Sequence, residues 1–196
     1  MVFKSATALL AAWLALPAPD AVAYNVLKNG DFSGGIAGWN VSSTFGGIAG
    51  SESYFGTPAG GSLRLQSYNL NATSHADQCV DIHRWFALDF SLRKFNDGES
   101  GGGTHPFKLD IYDADDCNGT VLGTITLPEA GVAVDGNPAS GWIEVSVPGT
   151  PLPSGAISAK VSLDTIAGPT GVSYYLLDRV QVVPPDEIFP DTFEAN

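Results

Sequence analysis

Cationic side chains are scarce in this sequence. Nine lysine and arginine residues stand against 21 aspartate and glutamate residues, which gives a formal net charge of −12 at pH 7. Such an acidic surface repels phosphate backbones and anionic lipid, so we expect no nucleic-acid partner. Polyanionic substrates are disfavoured for the same reason, and the acidity is explained most simply as a means of keeping the protein soluble.

Cysteine is almost absent as well. The chain holds only Cys79 and Cys117, and only three histidines. Two thiols without histidine at ligand spacing do not make a zinc site. In an oxidising compartment, the simplest expectation is one structural disulfide between the two cysteines.

Long apolar runs are confined to the N-terminus. Lys4, an apolar stretch too short to span a bilayer and the small residues 21–23 are typical of a cleaved secretory signal peptide. A membrane anchor is the alternative interpretation of this run. We predict a signal peptide at residues 1–23, and a protein that is secreted to the periplasm or outside the cell without membrane insertion.

Helical periodicity is nearly absent from the remainder. Glycine and proline punctuate the chain, and the apolar residues between them alternate with polar ones, as in residues 61–68. A second alternating run is expected to place four side chains on one face: Phe86, Leu88, Phe90 and Leu92. The pattern predicts an all-β fold, an antiparallel β-sandwich over residues 24–183, followed by an acidic tail at 184–196.

The opening of this domain carries a motif shared with a known type of domain. The motif comprises Asn25, Leu27, Asn29, Gly30, Asp31, Phe32, Gly38 and Trp39. With GSLRL at 61–65, QCVDI at 78–82 and YYLLDRVQV at 174–182, it resembles the galactose-binding-like jelly-roll carbohydrate-binding modules, particularly the xylan- and glucan-binding group. The resemblance spans the whole domain and implies a jelly roll that binds carbohydrate, while Phe32 and Trp39 are expected in the core.

The resemblance also implies one structural calcium ion between the opening segment and the last strand. Calcium takes several oxygen ligands from carboxylates and carbonyls. Asp178 is the first candidate ligand, with Asp31 and Glu52 as partners. The family often has glutamate after the motif phenylalanine, where this chain has Ser33. The alternative is that Asp178 hydrogen-bonds backbone near a strand end, and both interpretations stay open.

Sugar recognition combines aromatic faces with polar side chains that bind hydroxyl groups. The candidates are outward positions of three alternating segments and one conspicuous loop or strand-edge aromatic. They are Arg64, Gln66, Tyr68, Trp85, Asp89, Arg93, Asp110 and Tyr112. If the three segments are neighbours in one sheet, these residues form a polar floor flanked by Tyr68 and Tyr112. Trp142 is expected in the core.

We therefore expect a non-catalytic, monomeric protein whose partner is a poly- or oligosaccharide. One alternative is an extracellular interaction or structural domain, which a featureless outer face with Tyr68 and Tyr112 on different sheets would favour. The other is a small secreted hydrolase, which requires a Ser–His–Asp set or two carboxylates converging in a pocket.

Three further stretches are weaker signals. GESGG at 98–102 matches a serine-nucleophile pattern, but the histidines lack the expected flanking sequence, and a glycine-rich loop explains it better. DADDCNG at 113–119 departs from the EF-hand calcium loop. The final IFPDTFEAN resembles an ending seen on many secreted gammaproteobacterial proteins, which implies a bacterial exported protein.

Overall fold

Alternating apolar residues fold this chain into two antiparallel β-sheets with one core between them, which confirms the predicted β-sandwich. The computed structural model describes residues 24–44, 47–52, 61–70, 72–95, 104–133, 141–169 and 173–185. The predicted signal peptide, the GESGG loop and residues 186–196 of the predicted tail lie outside these ranges. Within them, no helix has the length and hydropathy that a membrane span requires.

The described residues form eleven strands in two sheets. They are β1 (Asn40–Thr44), β2 (Gly47–Glu52), β3 (Ser62–Ser67), β4 (Thr73–Asp81), β5 (Ala87–Phe95), β6 (Phe107–Tyr112), β7 (Val121–Thr126), β8 (Val132–Ala133), β9 (Trp142–Pro151), β10 (Ser158–Ile166) and β11 (Ser173–Val183). The five-stranded sheet has the order β1-β4-β10-β6-β7. The six-stranded sheet has the order β2-β3-β11-β5-β9-β8.

Strand β5 shows how the pattern builds the core. Leu88, Phe90 and Leu92 are fully buried, as the alternation predicted, and each such side chain stabilises the fold by roughly 1.5–3 kcal/mol. Phe86 was expected on the same face, and that expectation is wrong, because its side chain is 58% exposed. It lies in the turn before β5, where the strand's alternation does not yet apply.

The opening motif closes one side of this core. Phe32 and Trp39 are buried with their ring centroids 5.4 Å apart, which confirms both as core residues. The indole Nε1 of Trp39 donates a hydrogen bond of 3.2 Å to the main-chain oxygen of Asn29. The motif therefore has a structural role in this chain.

The same segment docks against the closing strand. The Val180 amide donates to the Gly30 oxygen at 2.9 Å, and the Asn25 side-chain amide donates to the Val180 oxygen at 2.9 Å. A Cβ atom on Gly30 would overlap the Val180 oxygen, so this close approach requires glycine. The start and end of the domain are thus joined beside β11.

Cys79 and Cys117 form the predicted disulfide, which closes a sequence separation of 38 residues. Cys79 lies in β4, and Cys117 ends a short 3₁₀ turn over Asp115–Cys117. The bond therefore ties the segment between β6 and β7 to the five-stranded sheet.

Candidate functional site

The structure distributes the predicted sugar-binding residues over both sheets. The condition that the three segments are neighbours in one sheet is not met, because β6 pairs with β10 and β7, whereas β3 and β5 flank β11 in the other sheet. Alternation identifies the face that a side chain occupies but not the neighbouring strand. The six-stranded sheet carries Arg64, Gln66, Asp89 and Arg93, with Tyr68 just after β3, and the five-stranded sheet carries Asp110 and Tyr112.

Polar groups on the outer face of the five-stranded sheet pair with one another. Asp110 accepts a 2.6 Å hydrogen bond from the Thr124 hydroxyl and lies 3.3 Å from the Lys108 ammonium. Tyr112 is buried, contrary to its predicted role as an open stacking surface, and Lys160 lies over its ring. Asp110 and Tyr112 are therefore engaged within the sheet.

Histidine and carboxylates continue this pairing across β4 and β10. The Nδ1 atom of His75 lies 2.6 Å from an Asp164 carboxylate oxygen, and its Nε2 atom lies 3.2 Å from Asp77. Asp77 also accepts a hydrogen bond of 3.3 Å from the Asn40 side-chain amide. In these contacts, the polar side chains hold neighbouring strands of the five-stranded sheet together.

Two other predicted residues lie away from Arg64. Asp89 accepts a 2.6 Å hydrogen bond from the Gly149 amide, which is a backbone contact within the six-stranded sheet. Phe95 lies six residues after Asp89 along β5, which corresponds to roughly 20 Å. Trp85 packs partly buried against the core in the turn before β5, beside the exposed Phe86.

The outer face of the six-stranded sheet carries a row of large side chains, of which only Arg64 and Gln66 were among the predicted site residues. Leu176 of β11 pairs with Arg64 on β3 and with Phe95 on β5, and Phe95 pairs with Trp142 on β9. These positions alternate with core residues on all four strands and therefore face outward. We call this set of outward positions the aromatic face: Arg64, Gln66, Phe95, Trp142, Tyr174 and Leu176. Gln66, Trp142 and Leu176 are buried, and the other three side chains are partly exposed.

Aromatic packing shapes one end of the aromatic face. The Phe95 and Trp142 rings have centroids 5.4 Å apart and are tilted by 45°. Trp142 is buried as expected, but it lies on the outward row and is not part of the main core cluster. Gly141 has φ of 74°, and a Cβ there would overlap the Phe95 ring, so glycine lets the ring lie against the backbone.

Arg64 is held in a fixed position at the other end. Its Nε donates a 2.8 Å hydrogen bond to the Gln66 side chain, and its Nη2 lies 3.2 Å from the Tyr68 hydroxyl. The guanidinium carbon lies 5.4 Å from the Tyr174 ring centroid, which is a cation–π arrangement. Gln66 is itself buried, although it was expected at an outward position that binds sugar.

The aromatic face thus combines two chemical properties. Phe95 and Tyr174 are half-buried rings that leave part of their surface accessible. Arg64, Gln66 and Tyr68 supply hydrogen-bonding groups beside them. Stacking surfaces next to oriented donors and acceptors can bind a polar ligand that has one apolar face.

The Asp178 carboxylate is an unusual feature beside this face. It is almost completely buried, its Oδ1 accepts a 2.7 Å hydrogen bond from the Arg179 amide, and its Oδ2 has no hydrogen-bond partner within the described ranges. Burial raises the pKa of Asp178 above its ordinary value, and the charge of Asp31 acts in the same direction. The hydrogen bond from Arg179 and the charges of Arg179 and Arg93 oppose this rise.

The backbone register places Glu52 on β2 and Asp178 on β11 on either side of β3, and Asp31 follows Gly30, which hydrogen-bonds to Val180 of β11. Glu52 pairs with Ser62 at the start of β3, and the next residue, Leu63, pairs with Leu177 beside Asp178. The Glu52 side chain lies outside the described part of the structure, and the described side chains include no cluster of three metal-ligating groups. A buried carboxylate oxygen without a partner nevertheless fits a hard cation.

Known structures share this fold at low sequence identity. An enzymatically active domain of tailspike protein 4 from bacteriophage CBA120 matches with 14% identity and a TM-score of 0.59, over 81% of this chain but only 21% of that one. TmCBM61, solved in complex with β-1,4-galactotriose, matches with 13% identity and a TM-score of 0.54 over 82% of this chain and 99% of that one.

A third structure concerns the promiscuous specificity of carbohydrate-binding modules from the β-sandwich superfamily. It matches with 10% identity and a TM-score of 0.53 over 83% of this chain and 62% of that one. No protein-family model matches the sequence, and no curated protein is significantly similar to it. The chain has the two-sheet β-sandwich fold found in carbohydrate-binding modules.

Proposed function

We propose that this protein is a secreted, monomeric, non-catalytic domain that binds a neutral poly- or oligosaccharide through its aromatic face. Half-buried rings would stack on the C–H surfaces of sugar rings, and the neighbouring polar groups would bind hydroxyls. The fold supports the proposal, since two of the structures it resembles are carbohydrate-binding modules. Fold alone does not establish function, so the proposal depends on the site.

One observation carries this proposal. Arg64 is fixed over the Tyr174 ring and held by Gln66, and Leu176 of β11 separates it from Phe95 on the same face. Side chains already ordered by their neighbours lose little conformational freedom on binding, which favours affinity. On the outer face of the five-stranded sheet, the charged side chains of His75, Lys108 and their aspartate partners bind one another instead.

Affinity electrophoresis of the purified protein tests the proposal, with xylan, β-glucan and β-1,4-galactan in the gels. We expect retardation by at least one of them. Tyr174→Ala and Phe95→Ala should each weaken binding by about tenfold or more, because each removes a stacking surface. Circular dichroism and thermal melting check that the variants remain folded.

Phe86→Ala is the matched control, since Phe86 is an exposed aromatic residue in the turn before β5. We expect it to bind as the unchanged protein does. If Phe86→Ala abolishes binding while Tyr174→Ala does not, the ligand binds at the rim turns and the aromatic face is the wrong site.

An extracellular protein-interaction domain is the second candidate. Tyr68 and Tyr112 lie on different sheets, which is one of the two conditions expected for it. The other condition, a featureless outer face, conflicts with the aromatic face. Absence of retardation across the polysaccharide panel would favour this second candidate.

We also propose that Asp178 and Asp31, with Glu52, hold one structural calcium ion. A divalent cation would satisfy the unpartnered Asp178 oxygen and offset the repulsion between Asp178 and Asp31. Calcium should therefore raise the melting temperature, and a chelator should reverse the rise. Equal melting temperatures in millimolar calcium and in chelator would exclude the site.

A further inference from the structure

A cluster of polar side chains lies on the inner side of the sheet, directly behind the aromatic face. Lys94 lies between the outward residues Arg93 and Phe95 on β5 and pairs with Leu177 of β11. It is 6% exposed, and its ammonium donates a hydrogen bond to the main-chain oxygen of Glu129. This places a cation between the sheets.

His105 packs into the same end of the sandwich. Its ring centroid lies 3.9 Å from that of Tyr175, which in turn makes an edge contact with Phe107. Tyr175 follows Tyr174 and precedes Leu176, so it shares a backbone segment with two members of the aromatic face. The inner cluster, defined as Lys94, His105 and Tyr175, therefore supports the strands that carry that face.

The charges around His105 favour its neutral form. Burial lowers the pKa of His105 to about 4, and the positive charge of Lys94 acts in the same direction. Burial also lowers the pKa of Lys94, which the charge of Glu129 partly offsets. In the described residues, the titratable groups that face His105 are Lys94 from β5, Tyr175 from β11 and, across Lys94, Glu129.

We propose that acid opens the inner cluster and releases the ligand of the aromatic face, with His105 as the group that takes up the proton. A second cation beside Lys94 would favour a state in which the His105 ring leaves the gap between the sheets. That movement would disturb Tyr175 and Lys94, and with them the positions of Tyr174 and Phe95. The release of ligand rests on the proposed function of the aromatic face, whereas the opening does not.

Hydrogen exchange followed by mass spectrometry tests the opening without any ligand. After correction for intrinsic exchange, amides at 104–107 and 173–177 should exchange about tenfold faster at pH 4.5 than at pH 7. The pKa of His105 is lowered from 6.5 to about 4, and this difference limits the enhancement of exchange at pH 4.5 to roughly a hundredfold. Partial exposure of His105 lowers that limit. His105→Gln should lose most of this acid enhancement.

Two further variants separate the inner cluster from general acid effects. His83→Gln should retain the enhancement, since His83 is an exposed histidine paired with Asp115. Lys94→Met should show a smaller enhancement because the neighbouring cation is gone. If the unchanged protein shows no enhancement, or His105→Gln keeps all of it, the proposed opening is wrong.

Binding measured at both pH values tests the coupling to the aromatic face. Calorimetry with β-1,4-galactotriose and a xylan oligosaccharide should show at least fivefold weaker binding at pH 4.5 in the unchanged protein, but not in His105→Gln. Binding that is equal at both pH values overturns the release step. No binding at pH 7 overturns the proposed function instead, and the exchange result then still decides whether acid opens the cluster.

Discussion

Asp178 has a buried carboxylate oxygen that the described residues leave unsatisfied. That oxygen has no hydrogen-bond partner among them, and the burial that raises the pKa of Asp178 also disfavours its charged form. A buried charge without full compensation destabilises the fold, and a bound cation would offset this destabilisation. The residue is therefore better explained by the proposed calcium site than by a backbone contact alone.

The substitution Asp178→Asn should have opposite effects with and without calcium. In chelator, the variant should be as stable as the unchanged protein or about 1 kcal/mol more stable, because the buried charge is gone. In millimolar calcium, the unchanged protein should be the more stable one. Urea unfolding of both proteins in both buffers measures whether the order of their stabilities reverses between chelator and calcium.

Asp81→Asn is a suitable control because Asp81 is exposed and lies at the end of β4. It should shift stability little in either buffer. A loss of stability in Asp178→Asn that is the same in calcium and chelator would indicate a purely structural role for Asp178.

At the scale of elements, the disulfide connects β4 to the turn before β7. Closing a separation of 38 residues reduces the freedom of the unfolded chain and should stabilise the fold by about 3–4 kcal/mol. The double variant Cys79→Ser, Cys117→Ser should therefore unfold at lower urea concentration by that amount. Reduction of the unchanged protein should give a similar loss, and a loss below about 1 kcal/mol would contradict the expectation.

The sequence predicted the strands more reliably than it predicted which strands pair with each other. Alternation identified β5 and its core residues, and the opening motif led to the correct placement of Phe32 and Trp39. Strand partners depend on non-local contacts that no single segment encodes, so the sequence could not show that Asp110 and Tyr112 lie in a different sheet from Arg64 and Asp89. Asp178 was identified through the resemblance, and the structure then showed its unpartnered oxygen.

The aromatic face was missed for a similar reason. In the run that contains Tyr174 and Tyr175, alternation shows that one tyrosine faces outward but does not show which. Trp142 suggested a core residue because tryptophan is usually buried, and it is indeed buried, though on the outer side. Only the register with Phe95 reveals that these residues belong to one surface.

At the scale of the whole molecule, the two outer faces differ in the kind of side chain they carry. The five-stranded sheet uses its histidine, lysine and aspartate side chains to hold neighbouring strands together. The six-stranded sheet has such an ion pair, between Arg93 and Glu144, and adds rings and an ordered guanidinium. In a chain with a net charge of −12, this arrangement gives the aromatic face a local composition unlike the rest of the surface.

Global stability should fall in mild acid because of one histidine. The folded pKa of His105, about 4, lies below its ordinary value of 6.5, so the fold prefers the neutral ring. This contribution is fully present above pH 6.5 and is lost as the pH falls from 6.5 to 4, with no further loss below. Because the ring is partly exposed, we expect about 1–2 kcal/mol rather than the full value of roughly 3 kcal/mol.

Urea unfolding at several pH values between 7.5 and 4 measures this loss. His105→Gln should flatten the profile by about 1–2 kcal/mol over that range, whereas His83→Gln should leave its slope unchanged. Measurements in chelator prevent the loss of bound calcium from contributing to the fall in stability at acid pH. Parallel profiles for the unchanged protein and His105→Gln would show that other groups, and not the inner cluster, determine the acid sensitivity of the molecule.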